Sequence, residues 1–307
     1  MVVGLGIGHS GSGSPETVST TVWVREGVEP EVEAAATLHA GGHMTSPEQL
    51  LERLDAIGHS LSLRPYTLAL IGLGSVGLEL ERLDACSDLD FFVIVEAGHR
   101  EDLLNDLSWL QFGDPPAFVF RNTPDGYKCL SVDGQFAEFA VFDQPHLASI
   151  PFSPGRVVWK RADASARLAI PELKPVSAPI DLGWQTDEAL SNLYVGLQRF
   201  RRGERLSAMR FVQVHALDHV LAIVASVEEA AAGRQDPFSP ERRVEQRYPQ
   251  LSALLERATG GTTATPASAL AQLEFLEQRV AVNASMAAAI RALCVPQVSE
   301  TPPERPT

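Results

Sequence analysis

The sequence is poor in several features that would assign it to a special class of protein. Its three cysteines, Cys86, Cys129 and Cys294, fit neither a metal-ligand spacing nor a disulfide framework, so we expect a reducing, cytoplasmic environment. It lacks an uncharged apolar run of about 18 residues, and its first basic residue is Arg25. We therefore expect neither a transmembrane span nor a signal peptide.

Positive charge is also scarce. The chain has 25 Lys and Arg residues against 39 Asp and Glu residues, a net charge of −14, which argues against a long nucleic-acid partner. The excess of acidic residues is concentrated in the first half of the chain. Residues 44–163 contain 9 basic and 18 acidic residues, whereas residues 183–294 contain 12 of each. An acidic half that handles phosphates needs a metal ion or a cationic substrate, and solubility is the alternative explanation of the charge.

Composition divides the chain into five parts. Residues 1–43 are rich in Gly, Ser and Thr, so we predict a disordered extension, with the fold, and as a further hypothesis translation, beginning at Met44. Residues 44–163 mix helices and strands, 164–182 form a Pro-rich linker, and 183–294 contain helices alone. Residues 295–307 are predicted to be a disordered tail. The expected fold class is α+β, a mixed sheet with flanking helices followed by an all-α helical bundle.

Apolar periodicity predicts the individual elements. In the first half we predict helices over 47–57 and 100–110, and strands over 67–71, 89–95, 117–121, 128–132, 136–142 and 156–160. In the second half we predict helices over 186–202, 206–232, 240–257 and 266–293.

The segment 72–77, Gly-Leu-Gly-Ser-Val-Gly, matches the G-x-G-x-x-G pattern of dinucleotide-binding sites and follows a predicted strand. Glu96 lies about 20 residues further on, where an acidic residue would meet a ribose. However, the helix after the glycines would span only residues 78–83, which is short for a crossover between parallel strands. A dinucleotide site is therefore the less favoured alternative.

Two carboxylates at the start of the next strand favour a different chemistry. Asp88 and Asp90 are two residues apart on a strand, so their side chains point to one face, where they repel each other unless a divalent cation lies between them. Upstream, Gly74 and Ser75 lie at a predicted strand-to-helix turn, where backbone N–H groups can receive phosphate. A phosphate cradle beside a metal-binding pair is what phosphoryl and nucleotidyl transfer require.

These residues carry a family resemblance. Gly74-Ser75, a 12-residue spacer and Ser87-Asp88-Leu89-Asp90 resemble the signature of the DNA polymerase β-like nucleotidyltransferase superfamily. The order of elements from Met44 to Glu204 is similar to that of two-domain lincosamide nucleotidyltransferases. The resemblance implies transfer of a nucleoside monophosphate, AMP from ATP or its counterpart from another triphosphate, to a hydroxyl of a small molecule such as a lincosamide-type antibiotic. It also implies that Asp88 and Asp90 hold Mg²⁺ and that Gly74 and Ser75 bind the triphosphate.

The superfamily takes a third carboxylate from a later strand. Glu138 is the lone acidic residue in the apolar run 136–142, and the resemblance implies that it is a metal ligand and the catalytic base. The residue before it is Ala137, where the lincosamide family has Gly. Asp133 and Asp143 flank the run and are predicted to be turn residues. The alternative is a solvent-facing Glu138 on an edge strand.

Other assignments stay open at this stage. Lys160, Arg202 and Arg205 are candidates for contacts to the phosphates, and exposed ion pairs are the alternative for each. Arg210 and His215 form an R-x4-H arrangement that resembles the catalytic motif of HEPN-type ribonucleases, which gives a ribonuclease or toxin–antitoxin component as an alternative function. A nucleotide-binding sensor without transferase activity is another. We expect no membrane partner, and a homodimer is compatible with the sequence.

Overall fold

The computed structural model describes residues 46–113, 115–173, 180–231 and 235–295. The predictions of disorder for residues 1–43 and for the tail beyond Val295, and the middle of the predicted linker, lie outside these residues. The chain divides into two compact units, Met1–Pro175 and Val176–Thr307. The first unit contains strands and helices and the second contains helices, so the α+β class is confirmed.

A six-stranded sheet with the order β3-β4-β5-β2-β1-β6 forms the centre of the first unit. Its strands are β1 Thr67–Gly72, β2 Leu89–Val95, β3 Phe118–Thr123, β4 Gly126–Leu130, β5 Phe136–Asp143 and β6 Arg156–Lys160. Strands β2 and β5 pair in parallel, and the remaining neighbours pair antiparallel. The helices of this unit are α1 Pro47–Ser62, α2 Arg100–Asn105 and α3 Gln144–Ala148.

The first helix begins with a complete capping box. The Ser46 hydroxyl accepts a hydrogen bond from the Gln49 backbone N–H, and the Gln49 side chain accepts one from the Ser46 N–H. Leu54 and Ile57 recur at helical spacing and are fully buried under the sheet. The buried stripe continues to Leu61, so α1 is one turn longer than the sequence predicted.

Alternation along β2 sends its side chains to two separate cores. Phe91 and Val93 pack with α1 and with the buried Trp109 on one face. Phe92 lies on the opposite face, where it packs against Phe142 and Phe152 at ring-centroid distances of 5.0 and 5.5 Å. The carboxylates predicted for the site belong to this second face, because Asp88 and Asp90 have the same parity as Phe92.

The start of the predicted linker belongs to the first unit. Ala164 and Ala169 are buried in the core on the Phe92 side of the sheet, and the Gly155 N–H donates to the Ala169 carbonyl at 2.8 Å. The first unit therefore extends beyond Asp163, the boundary that composition indicated.

The second unit is a helical bundle. Its helices are α4 Leu182–Arg201, α5 Arg205–Arg210, α6 Leu217–Val227, α7 Val244–Arg247, α8 Ser252–Ala258, α9 Thr265–Glu277 and α10 Ala284–Cys294. A π-helical segment, Phe211–Ala216, joins α5 to α6. By length and composition alone, one helix in the described part of the chain, Arg205–Val227, could cross a membrane. The core of the bundle already accounts for its apolar side, since Val212, Val220 and Val224 are fully buried there.

Four predicted helices are shorter or divided. The helix predicted over 206–232 ends at Val227 and is interrupted by the π-helical segment Phe211–Ala216. The helix predicted over 100–110 ends at Asn105, the one over 240–257 divides into α7 and α8, and the one over 266–293 divides into α9 and α10. The last division has a local cause, because Asn283 caps α10 by accepting from the Met286 N–H at 3.0 Å. Before α7, Arg243 adopts the left-handed conformation with φ 61°, which an α-helix does not accommodate.

Candidate active site

Strand pairing brings the predicted carboxylates together at one end of the sheet. Asp90 on β2 and Glu138 on β5 are direct neighbours in the parallel register, so their side chains leave the same face side by side. Asp88 immediately precedes β2 and shares the parity of Asp90. The three acidic side chains therefore lie at the N-terminal ends of two adjacent strands.

Burial and mutual repulsion act on this cluster. The pKa of Asp88 is raised above its usual value of 3.8, first by desolvation, then by the charge of Asp90, with a smaller contribution from Glu138. Like charges held this close are costly unless a cation or a proton compensates them. The side chain of Glu138 is only 13% exposed. Because β5 lies between β4 and β2, the alternative of a solvent-facing Glu138 on an edge strand is wrong.

Two residues that sequence reasoning missed contact Glu138. Lys128 lies directly opposite Glu138 in the β4–β5 register, and its Nζ is 3.5 Å from Glu138 Oε2. Asn122, at the end of β3, donates from Nδ2 to Glu138 Oε1 at 3.2 Å. The only sequence signal for these two residues was that they flank the turn between the strands predicted over 117–121 and 128–132. Their contact with Glu138 depends on how the β3–β4 hairpin pairs with β5, which the sequence does not show.

The loop after β1 approaches the carboxylates. Gly74 has a φ of +53°, and a Cβ atom built on it would lie 3.9 Å from Asp90 Oδ2. Arg156 on β6 holds this loop in place, because its Nε and Nη2 donate to the Val76 carbonyl at 3.1 and 2.9 Å. The half-buried Ser75 lies in the same turn.

The predicted helix after Gly74 and Ser75 is absent from the described chain. Two 3₁₀ turns, Gly74–Val76 and Leu80–Arg82, stand in its place, so the expectation of a strand-to-helix turn is wrong. In the first turn the Gly77 N–H donates to the Gly74 carbonyl. The first N–H groups of a helical turn generally have no acceptor within that turn, which leaves them able to receive a ligand. Phosphate binding by Gly74 and Ser75 stays a prediction that depends on these N–H groups.

The dinucleotide alternative fails on topology. Strands β1 and β2 are antiparallel, whereas a G-x-G-x-x-G fingerprint belongs to a parallel β-α-β unit. The glycines have a packing explanation, since a Cβ on Gly72 would lie 2.4 Å from the Val76 carbonyl oxygen and one on Gly77 would lie 2.7 Å from the Gly72 carbonyl oxygen. Glu96, the expected ribose ligand, forms an ion pair with Arg161 at 2.7 Å.

The donor set of this cluster fits Mg²⁺ bound by two carboxylates. Asp88 and Asp90 offer hard oxygen atoms and excess negative charge, and Mg²⁺ is commonly held by one or two carboxylates together with substrate phosphates. Within the described ranges, no group of three His, Cys, Asp or Glu side chains has an arrangement that could hold a metal ion. The role of Glu138 as a third ligand stays a prediction, and in this structure its carboxylate contacts Asn122 and Lys128.

The remaining predicted residues of the first unit have structural roles. Asp133 lies in the turn before β5, where it accepts from Ser131 and pairs with Arg53, so its turn assignment is confirmed. The turn assignment of Asp143 is wrong, because Asp143 is the last residue of β5 and caps α3 by accepting from the His146 N–H at 3.0 Å. Lys160 lies on the edge strand β6 and donates to the Arg161 carbonyl at 3.4 Å.

Two of the predicted residues of the helical bundle, Arg205 and His215, contact aromatic rings of the same unit. The Arg205 guanidinium stacks on Phe200 at 3.6 Å, while Arg202 ends α4 and is exposed. His215 packs edge-on against Phe211 at 5.4 Å, and His219 hydrogen-bonds through Nδ1 to Gln185 Oε1 at 2.7 Å. No contact found among the described residues joins Arg210 to His215, so the R-x4-H alternative gains no support from the geometry.

Comparison with known proteins gives a distant likeness. No family model matches the chain, and no curated protein matches it. The structure is similar to an aminoglycoside 6-adenyltransferase from Bacillus subtilis, with a TM-score of 0.30 and 13% identity over 79% of this chain and 90% of that one. It is also similar to a STING-associated CdnE c-di-GMP synthase from Capnocytophaga granulosa, with a TM-score of 0.28 and 12% identity over 81% of this chain and 78% of that one. At these values the likeness decides neither the activity nor the substrate.

Proposed function

We propose that the chain is a Mg²⁺-dependent nucleotidyltransferase that moves a nucleoside monophosphate, AMP from ATP in the first instance, onto a hydroxyl of a small molecule. The observation that carries this proposal is the register of β2 and β5, which sets Asp90 beside Glu138, with Asp88 on the same face. The Gly74 loop reaches the same carboxylates. A glycine turn next to clustered acids supplies the two parts that nucleotidyl transfer needs, a place for phosphates and a place for a divalent cation.

Each residue has a separate role in this proposal. Asp88 and Asp90 would hold Mg²⁺, which would neutralise charge on the triphosphate. Gly74 and Ser75 would bind the phosphate oxygens through backbone N–H groups of the turn that Arg156 holds in place. Glu138 would accept the proton of the acceptor hydroxyl, whose oxygen attacks the α-phosphorus as pyrophosphate leaves. Positioning and charge neutralisation therefore supply most of the catalysis.

The acceptor is proposed from charge. The part of the chain that contains the carboxylates has twice as many acidic as basic residues, which favours a cationic small molecule over an anionic polymer. A lincosamide-type antibiotic is one such acceptor, and the sequence resemblance is its support. One of the similar structures is an aminoglycoside 6-adenyltransferase, so aminoglycosides are a second cationic class for an acceptor screen.

Calorimetric titration with α,β-methylene-ATP tests the proposal before any acceptor is known. Wild-type protein is expected to bind this non-hydrolysable analogue in Mg²⁺ and to lose at least about 100-fold in affinity in EDTA or in the Asp88→Asn variant. Asp163→Asn is the matched control, because that exposed carboxylate pairs with Arg161 on the surface and should leave binding unchanged. Equal binding with and without Mg²⁺ would contradict the proposal.

Activity then separates a transferase from a sensor. Protein incubated with ATP, Mg²⁺ and a panel of lincosamides and aminoglycosides should release pyrophosphate only with its own acceptor, and Glu138→Gln should stop release without weakening analogue binding. Metal-dependent binding without release for every acceptor favours the sensor. RNA cleavage that is lost in His215→Ala and retained in Asp88→Asn would favour the ribonuclease.

A further inference from the structure

The side chain of Glu138 is only 13% exposed, and its contacts lie on the side away from Asp88 and Asp90. Its Oε1 accepts from Asn122 and its Oε2 faces Lys128 Nζ. Both partners belong to the β3–β4 hairpin, whereas Asp88 and Asp90 are on the β2 side of β5. The carboxylate is therefore bonded on the hairpin side of its own strand.

The register makes this arrangement specific to Lys128. In the antiparallel β4–β5 pair, Lys128 is directly opposite Glu138, so the two side chains leave the same face at neighbouring positions. Directly opposite residues of opposite charge attract each other, and an ammonium beside a nearly buried carboxylate compensates part of its desolvation. Asn122 adds a neutral donor that restricts the orientation of the same group.

A third carboxylate in the metal site would need the opposite orientation. Within the described residues no three acidic, His or Cys side chains are arranged to hold a metal, although the register places Asp90 and Glu138 side by side. In this structure a hydrogen bond and an ion pair engage the Glu138 carboxylate on the hairpin side.

We propose that Lys128 and Asn122 are positioning residues that hold the Glu138 carboxylate apart from Asp88 and Asp90, so that Mg²⁺ is bound by two carboxylates and Glu138 is kept for the acceptor hydroxyl. This inference rests on the proposed function, which supplies the metal and the acceptor. It makes the β3–β4 hairpin, which carries neither aspartate, part of the site.

Binding of Mn²⁺, followed by the electron paramagnetic resonance signal of the free ion, tests the inference without substrate. Lys128→Met should bind Mn²⁺ about fivefold more tightly than wild type, because Glu138 is then free to become a ligand. Asn122→Ala should also tighten Mn²⁺ binding, but by a smaller factor. Lys128→Arg keeps the positive charge, so its affinity for Mn²⁺ should equal that of wild type. Arg121 is a cation of the same hairpin, but it pairs with Glu101. Arg121→Met should therefore leave the affinity for Mn²⁺ unchanged.

A double variant distinguishes a released ligand from the loss of a nearby positive charge. In the Glu138→Gln background, Lys128→Met should no longer tighten Mn²⁺ binding. An unchanged affinity in Lys128→Met, or a gain that persists with Glu138→Gln, overturns the inference. A misfolded variant would bind less metal, so misfolding does not imitate the expected gain.

Failure of the inference is separable from failure of the proposed function. If Asp88→Asn loses Mn²⁺ binding while Lys128→Met behaves like wild type, the nucleotidyltransferase site stands and the role of the hairpin is rejected. If wild type binds no Mn²⁺ with or without the ATP analogue, or if Asp88→Asn binds it normally, the proposed function fails and the inference fails with it.

Discussion

The two ends of one face of the β2–β5 pair have opposite characters. At the N-terminal end, Asp88, Asp90 and Glu138 crowd negative charge against a glycine turn. Towards the C-terminal end of the same strands, Phe92 from the middle of β2 and Phe142 from the end of β5 meet edge to face in a buried aromatic cluster. The strands, their pairing and the face are the same, so the difference lies in the side chains alone. The apolar end stabilises the fold, whereas the charged end costs stability in the absence of a cation, a cost that the proposed function would explain.

The largest expected effect is at the aromatic end. Phe92 is 1% exposed, and Phe92→Ala should lower the free energy of unfolding by about 3–5 kcal/mol, since it removes a buried ring and leaves a cavity. Urea denaturation followed by circular dichroism measures the change. Leu63→Ala, at a position that is 73% exposed, is the control and should be near neutral. A loss below about 1 kcal/mol for Phe92→Ala would show that the aromatic cluster does not carry the stability of this face.

The next effect should appear in binding with little change in stability. Arg156→Ala removes both hydrogen bonds to the Val76 carbonyl, so the Gly74 turn loses its support and affinity for α,β-methylene-ATP should fall about tenfold. Titration calorimetry measures this change, and Arg167→Ala is a control at an exposed arginine of the same unit. Unchanged affinity in Arg156→Ala would mean that the turn needs no support to bind phosphate.

At the carboxylate end, removal of a charge should stabilise the metal-free protein. The pKa of Asp88 is raised by burial and by its acidic neighbours, so its ionisation costs the folded state free energy as the pH rises from the unfolded-state pKa through the folded-state pKa. At neutral pH, Asp88→Asn should therefore raise Tm by about 1–2 °C in EDTA. Differential scanning calorimetry tests this, and a lower Tm would mean that Asp88 supports the fold through contacts of its carboxylate.

The smallest effect concerns pH at the aromatic end. Burial, followed by the positive charge of Arg100, lowers the pKa of His146 below its usual 6.5. The unfolded chain therefore takes up this proton before the folded protein does, and stability is lost as the pH falls through 6.5 towards the lowered value. His146→Asn should make the fall of Tm between about pH 7.5 and pH 5.5 shallower than in wild type. Equal slopes would exclude a contribution from His146.

Some predictions held because they depend on short stretches of chain. The capping residues Ser46 and Gln49 define the start of α1, and the apolar run 89–95 is strand β2 with the predicted bounds. Where local signals compete, prediction failed. Good helix formers over 266–293 predicted one continuous helix, although Asn283 caps a second helix within that range. The glycines after β1 were expected to begin a helix, but the chain makes 3₁₀ turns there.

The sequence by itself determined that Asp88 and Asp90 share a face, because side chains two residues apart on a strand always do. Only the tertiary structure decided that Glu138 stands beside Asp90, that Lys128 and Asn122 contact Glu138, and that β1 and β2 run antiparallel. These relations join residues that are distant in sequence, and the pairing of strands depends on which faces can be buried together. No local pattern carries that information, since a shift of one residue in register would exchange every inward and outward side chain.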